Sequence, residues 1–327
     1  MKFKVFVTRM IPEAGLDILK EECEVKLNPS DRPLKKEEML ESVRGVDGLI
    51  CRKDIIDEEI MDENPHLKII SNFGVGYNHI DVKAATTRGI MVTNTPGVLT
   101  DTTADLTWVL LMTVARRIIE ADRFVRGGKH EGWSPTLFLG TDIHHATLGI
   151  VGFGRIGRAV AKRSKGFQMR ILYADIVRAP RNVEEDLEAK FTSLGELLQN
   201  SDFVTLHAPL TPETRHLISK KELRLMKEGA YLINAGRGPL VDEKALVQAL
   251  RENWIAGAGL DVYENEPKLA AGLYELNNAV LLPHIGSATM ATRAKIAVMA
   301  ANNLVAGLKG EVPPNLVNKK VLRKQSL

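Results

Sequence analysis

Leu148-Gly149-Ile150-Val151-Gly152-Phe153-Gly154-Arg155-Ile156-Gly157 reads as a buried strand running straight into a helix. The apolar run Leu148 to Val151 is the strand, and helical spacing follows from Arg155 to about Lys165. Each glycine has a physical job. Gly152 permits the tight turn, Gly154 lets the backbone approach a pyrophosphate, and Gly157 lets helix and strand pack closely. The N-terminus of the helix offers N–H groups and a positive dipole end to phosphates. A second strand, Met169 to Ala174, ends on Asp175. That acid lies 175 − 157 = 18 residues beyond the third glycine, close to the ~20 expected of a ribose-binding carboxylate. A glycine pattern alone says little. Strand, glycines, helix, strand and acid in this order describe a dinucleotide-binding βαβ unit.

Working outward, the chain alternates strand-like and helix-like runs. Before the glycine motif, Lys4–Thr8, Glu24–Leu27, Gly48–Cys51, Leu67–Ser71 and Ile90–Thr93 read as strands. Pro12–Lys20 and Lys36–Val43 read as helices, and Asp57 as the N-cap of another. After it, Phe203–His207, Ala230–Asn234, Gly257–Asp261 and Ala279–Leu282 read as strands, with helices at Asp242–Asn253 and Ala291–Lys309. This βα alternation implies parallel sheets covered by helices on both faces. Residues 101 to 127 form one long helical candidate with apolar residues on several faces, which predicts a helix buried all round.

The 327 residues suffice for two domains. A net charge of +3, with no long block of one sign, argues against a nucleic-acid partner. No apolar stretch is long enough to span a bilayer, and the N-terminus starts as a strand without a signal-peptide core. Cys23 and Cys51 match no metal or redox spacing and read as core thiols of a reducing compartment. A cytoplasmic protein without a metal centre is the expectation.

Three segments place polar groups at the carboxyl ends of strands, where α/β sheets bind ligands. Ser71-Asn72-Phe73-Gly74-Val75-Gly76-Tyr77 can turn backbone N–H groups toward an anion. In Asn234-Ala235-Gly236-Arg237-Gly238 the guanidinium fork can grip a carboxylate. His284 ends the last strand and is the best proton donor near neutral pH, with Glu266 available to orient it. His144 and His145 read as a solvated loop.

These segments, with His207-Ala208-Pro209-Leu210-Thr211-Pro212-Glu213-Thr214, Asp261-Val262-Tyr263-Glu264-Asn265-Glu266-Pro267 and Pro283-His284-Ile285-Gly286-Ser287-Ala288-Thr289, closely resemble the D-isomer-specific 2-hydroxyacid dehydrogenase family over nearly the whole chain. Within it, Gly132-Trp133-Ser134-Pro135 and Phe138-Leu139-Gly140 look most like the glyoxylate and hydroxypyruvate reductases. The resemblance implies two doubly wound parallel-sheet domains. Residues 1–99 and 287–327 would form a discontinuous, flavodoxin-like substrate domain, and 100–286 a Rossmann dinucleotide-binding domain. It implies a small 2-oxo or 2-hydroxy acid as substrate, NAD as cofactor with NADP as the alternative, and a homodimer formed through the helix after residue 100. Arg237, Glu266 and His284 would be catalytic, and Val75, Gly76 and Arg237 would bind the substrate. Cofactor contacts are implied at Gly152, Gly154, Arg155, Ile156, Gly157, Asp175, His207, Ala208, Pro209, Thr214, Ala235, Gly236, Arg237, Asp261, His284 and Gly286. Two rivals share the fold: 3-phosphoglycerate dehydrogenase, many forms of which carry an additional regulatory domain, and NAD-sensing corepressors, for which no long polar tail is seen.

Overall fold

Apolar residues on both sides of nearly every strand force two sheets, each buried between helix layers. The computed structural model describes residues 2–30 and 32–323. The chain divides into two compact units, Met1–Leu99 with Ser287–Leu327, and Thr100–Gly286.

The first unit holds β1 (Phe3–Val7), β2 (Cys23–Leu27), β3 (Gly48–Cys51), β4 (Ile69–Asn72) and β5 (Met91–Thr93), all parallel in the order β2-β1-β3-β4-β5. Side chains alternate between its faces. Val5, Val7, Ile50 and Ile69 enter one core, while Phe6, Leu49, Cys51 and Ile70 enter the other. The long helix Met290–Leu308 closes the first face. It sits so near the helix Glu13–Glu22 that a Cβ on Gly15 would lie 2.7 Å from the Ala297 side chain. The Ser71 hydroxyl donates to Ala300 O at 2.9 Å. Beyond that helix, the Asn318 side chain accepts from Val92 N at 2.8 Å and donates to Ile90 O at 2.8 Å, tying the returning segment to β5.

The second unit holds β6 (Thr147–Val151), β7 (Arg170–Ala174), β8 (Ala189–Phe191), β9 (Phe203–Leu206), β10 (Tyr231–Asn234), β11 (Gly257–Leu260) and β12 (Ala279–Leu281). They form one parallel sheet in the order β12-β11-β10-β9-β6-β7-β8. The order reverses between β6 and β9, so the crevice at their carboxyl ends is where such a sheet takes a ligand. Leu148, Ile150, Phe203 and Ile233 face one core, and Val151, Val204, Leu206 and Leu232 the other.

Two expectations need correction. The stretch 101–127 is not one helix. It forms Thr100–Ala115 and Ile118–Arg126, broken at Arg117, whose φ of +54° is left-handed and incompatible with a continuing helix. Nor is it buried all round: the second helix has no buried residue, and Val109 of the first is 53% exposed. The three-residue β8 was not anticipated. Among the described residues no helix is long and apolar enough to cross a membrane.

Candidate active site

The glycine loop is shaped by close backbone approach. Gly152 has φ +89°, and a Cβ there would lie 2.4 Å from Ala208 N, so the loop after β6 abuts the His207–Ala208 backbone after β9. His207 N donates to Val151 O at 2.7 Å, locking this junction. Gly157 packs against its own strand, where a Cβ would meet Gly152 O at 2.2 Å. Gly154 differs: a Cβ there would meet nothing within 4 Å. The helix Arg155–Ser164 begins beside it without a side-chain cap, so no side chain competes for its first N–H groups. An open approach to uncapped N–H groups fits a dinucleotide pyrophosphate, which would occupy the loop at Gly154, Arg155 and Ile156.

Asp175 follows β7 and turns partly inward. Its Oδ2 accepts from Phe153 N at 2.6 Å, so the carboxylate braces the glycine loop. In the segment after β9, the Thr214 hydroxyl donates to Pro209 O at 2.7 Å and accepts from Thr211 N at 2.8 Å, holding 207–214 in a compact turn.

Both nitrogens of the His207 ring are buried, and neither has a hydrogen-bond partner among the described residues. Burial pushes its pKa down from 6.5 to about 4. The unfolded chain therefore holds the extra proton between pH 6.5 and about 4. Stability present above that window is lost as pH falls through it, by about 3 kcal/mol at the limit. His207→Gln should accordingly lose less stability than wild type between pH 7 and pH 4.5. Thermal melts at the two pH values measure this, and equal acid losses in both proteins would reject it.

Arg237, Glu266 and His284 lie on three loops at the carboxyl ends of the neighbouring strands β10, β11 and β12, and the last two side chains meet. The Asn234 side chain staples the first, donating to Arg237 O at 3.0 Å and accepting from Gly236 N at 3.1 Å. Gly238 fits flush against the second: a Cβ there would lie 1.8 Å from Tyr263 O. Within that second loop, Tyr263 N donates to Glu266 Oε1 at 3.1 Å. Both Glu266 oxygens lie 3.1 Å from His284 Nδ1. His284 itself is left-handed, with φ +57°. Asp261 holds that turn, its two oxygens accepting from Ile285 N and Gly286 N, each at 2.7 Å.

Arg237 is a cation without a counter-charge. Its guanidinium donates to Gly236 O at 2.7 Å and pairs with no carboxylate among the described residues. Burial pushes its pKa down from the ordinary arginine value. It still stays charged at neutral pH, because a guanidinium in a protein does not give up its proton. A partly buried guanidinium with no carboxylate partner among the described residues is a ready partner for an anion.

Other residues here were not marked by the sequence. Glu243 is buried and receives the backbone N–H groups of Glu264 and Ala270, the latter at 2.9 Å. The Glu264 carboxylate is held by Arg215 at 2.8 Å and by His216 Nε2 at 2.7 Å. The Tyr263 hydroxyl donates to Leu282 O at 2.8 Å. All three brace the loop that carries Glu266. The helix predicted from Asp242 places Glu243 at its start, but no spacing rule points to a carboxylate that caps another loop.

Val75 and Gly76 belong to the first unit, in the loop after β4. Its carbonyls are occupied: the Asn72 side chain donates to Gly74 O at 2.8 Å and Gly76 O at 3.0 Å, and Asn94 to Val75 O at 2.8 Å. The N–H groups of Val75 and Gly76 make no hydrogen bond among the described residues. His144 and His145 are exposed. Among the described residues no group of acidic, histidine and cysteine side chains could hold a metal.

Residues 108–286 match the family described as D-isomer specific 2-hydroxyacid dehydrogenase, NAD binding domain. The chain is similar to a protein of Thermococcus gammatolerans named glyoxylate reductase, 54% identical over 99% of this chain and 98% of the relative. A glyoxylate reductase of Pyrococcus horikoshii is 50% identical over 99% of this chain and 98% of its own. Among solved structures, a Thermus thermophilus protein is 48% identical with a TM-score of 0.89, covering 96% of this chain and 99% of the other. An NADPH-dependent glyoxylate/hydroxypyruvate reductase from Sinorhizobium meliloti, in complex with NADP and malonate, is 34% identical with a TM-score of 0.85 over 98% of both chains.

Proposed function

Because the chain belongs to the D-isomer-specific 2-hydroxyacid dehydrogenase family, we propose that it reduces a small 2-oxo acid, glyoxylate or hydroxypyruvate, to the D-2-hydroxy acid. The observation that carries this reading is the close fit, at Gly238 against Tyr263, of the loop bearing a partly buried arginine to the loop bearing the carboxylate that holds His284. Thr100–Gly286 is the dinucleotide-binding domain in this reading, and the first unit contributes to the substrate.

A nicotinamide dinucleotide held by its pyrophosphate at the Gly152–Gly157 loop would supply the hydride. The protein supplies binding, orientation and charge. Arg237 grips the substrate's carboxylate and carbonyl oxygen, stabilising negative charge as it develops on that oxygen. Val75 and Gly76 are assigned as backbone donors to the carboxylate. His284 gives its proton to the forming alkoxide. With Nδ1 turned to Glu266, Nε2 is the nitrogen assigned to the substrate, and the negative charge of Glu266 favours the protonated ring. In the reverse direction His284 takes the hydroxyl proton. The free thiols Cys23 and Cys51 are both buried, which suits the cytoplasm, where we place the protein. A second copy of the chain is assigned to the exposed apolar side chains Val109, Ile118, Val125, Trp133 and Leu139.

A steady-state screen of 2-oxo acids with NADH and NADPH in parallel tests the assignment. Turnover of glyoxylate or hydroxypyruvate is expected. Turnover confined to a phosphorylated 2-oxo acid, or none with any, would overturn it. Asp175 predicts a preference for NADH, since its carboxylate repels a 2′-phosphate. Asp175→Ser should narrow the ratio of kcat/KM for NADH to that for NADPH. A wild-type enzyme that already prefers NADPH would remove Asp175 from cofactor choice.

A further inference from the structure

The loop after β7 is held by a network that no step above uses. Tyr173, fully buried, stacks on Phe153 with ring centroids 4.0 Å apart. Its hydroxyl accepts from Ala179 N at 2.9 Å and donates to Glu184 Oε1 at 2.5 Å. Glu184 then receives Arg178 as a fork, Nε at 3.0 Å from Oε1 and Nη2 at 2.9 Å from Oε2. The carboxylate side chain is 10% exposed and the guanidinium side chain 66%. Glu184 is therefore the anchored partner, and Arg178 lies at the surface above Phe191, 5.9 Å from the ring centroid. Arg178, and secondarily Tyr173, hold the Glu184 carboxyl below its usual range, so it is ionised at neutral pH.

Arg178 lies three positions beyond Asp175. An arginine near this place is what a 2′-phosphate requires of such a fold. To reach one, Arg178 must leave Glu184. That gives up two charge-assisted hydrogen bonds and strands a mostly buried carboxylate without its cation. Arg181, the other cation of the loop, pairs with Glu185 at 2.8 Å on the open surface, where such a pair is weak.

We propose that Glu184 is a specificity residue for the cofactor: its bidentate grip withholds Arg178 from the 2′-phosphate of NADP(H). Discrimination then has two parts. Asp175 repels the phosphate, and Glu184 occupies the cation that would attract it. This rests on the dinucleotide reading of the second unit.

Isothermal titration calorimetry of the full chain with 2′,5′-ADP and with 5′-ADP separates the two. Glu184→Gln keeps an acceptor for Tyr173 and removes the charge that pairs with Arg178. It should bind 2′,5′-ADP about tenfold more tightly than wild type, with 5′-ADP affinity changed by less than about twofold. Adding Arg178→Ala to Glu184→Gln should abolish the gain. Unchanged 2′,5′-ADP affinity in the single variant, or a gain that persists in the double variant, would overturn the proposal. Loss of 5′-ADP binding in Glu184→Gln would do so too, by making Glu184 a structural support of the loop. Failure of wild type to bind either nucleotide would instead overturn the dinucleotide reading, and this inference with it.

Discussion

His284→Ala lowers kcat by a factor on the order of 10²–10⁴, the usual share of general acid–base catalysis. The expectation follows from geometry. His284 Nδ1 lies 3.1 Å from each Glu266 oxygen, so the ring is oriented and one nitrogen is committed. Water can replace the proton donor but not its position. Dinucleotide binding should be nearly unchanged, because the glycine loop is built from β6, β7 and β9. Single-turnover reduction at saturating substrate, alongside nucleotide titration, measures both effects. Near-wild-type turnover would remove His284 from the reaction. Glu266→Gln should give a smaller loss together with an altered pH profile, since it keeps the contact and loses the charge.

Arg237→Lys is the second large effect, a fall in kcat/KM for 2-oxo acids on the order of 10²–10³. The substitution keeps a positive charge, so a purely electrostatic role predicts little change. A forked role predicts much, because an ammonium cannot hold carboxylate and carbonyl oxygens together in one plane. The Arg237 backbone is fixed by Asn234 and by the close fit at Gly238, so a shorter, rounder cation cannot shift to compensate. Full activity in the lysine variant would reduce the site to a point charge.

Much of this was legible in the chain. Strands buried on both faces read as continuous apolar runs, which is why β3, Gly48–Cys51, was delimited to the residue. The glycine motif was legible because Gly152 and Gly157 answer steric demands that reappear as contact distances, while Gly154 leaves the approach to the helix open. The site histidine and arginine were legible because loops after parallel strands are where polar chemistry collects. The break at Arg117 was not. A left-handed arginine after an arginine carries no turn signal, and the apolar spacing runs straight across it. The short β8 was missed because three residues hold too little pattern. Glu243 and Asp261 were harder still. Each is a carboxylate that satisfies backbone N–H groups of a loop 21 to 27 residues away, and such pairings follow from tertiary packing and not from local sequence.

The fit at Gly238 bears on how a saturation scan of this enzyme would look. A Cβ there would lie 1.8 Å from Tyr263 O and 2.5 Å from Glu264 N, main-chain atoms that cannot rotate away. Every one of the nineteen replacements carries that atom, so position 238 should score as intolerant as position 284. The cause is different: the side chain at 238 would touch no reactant, and the harm comes from prising two loops apart. Intolerance by itself therefore does not identify a chemical participant here. Sorting the scan by nucleotide affinity would not separate the two positions either, since both leave the β6 loop untouched. Adding small amines or imidazole to the assay would, because a missing proton carrier can be substituted from solution and a displaced loop cannot.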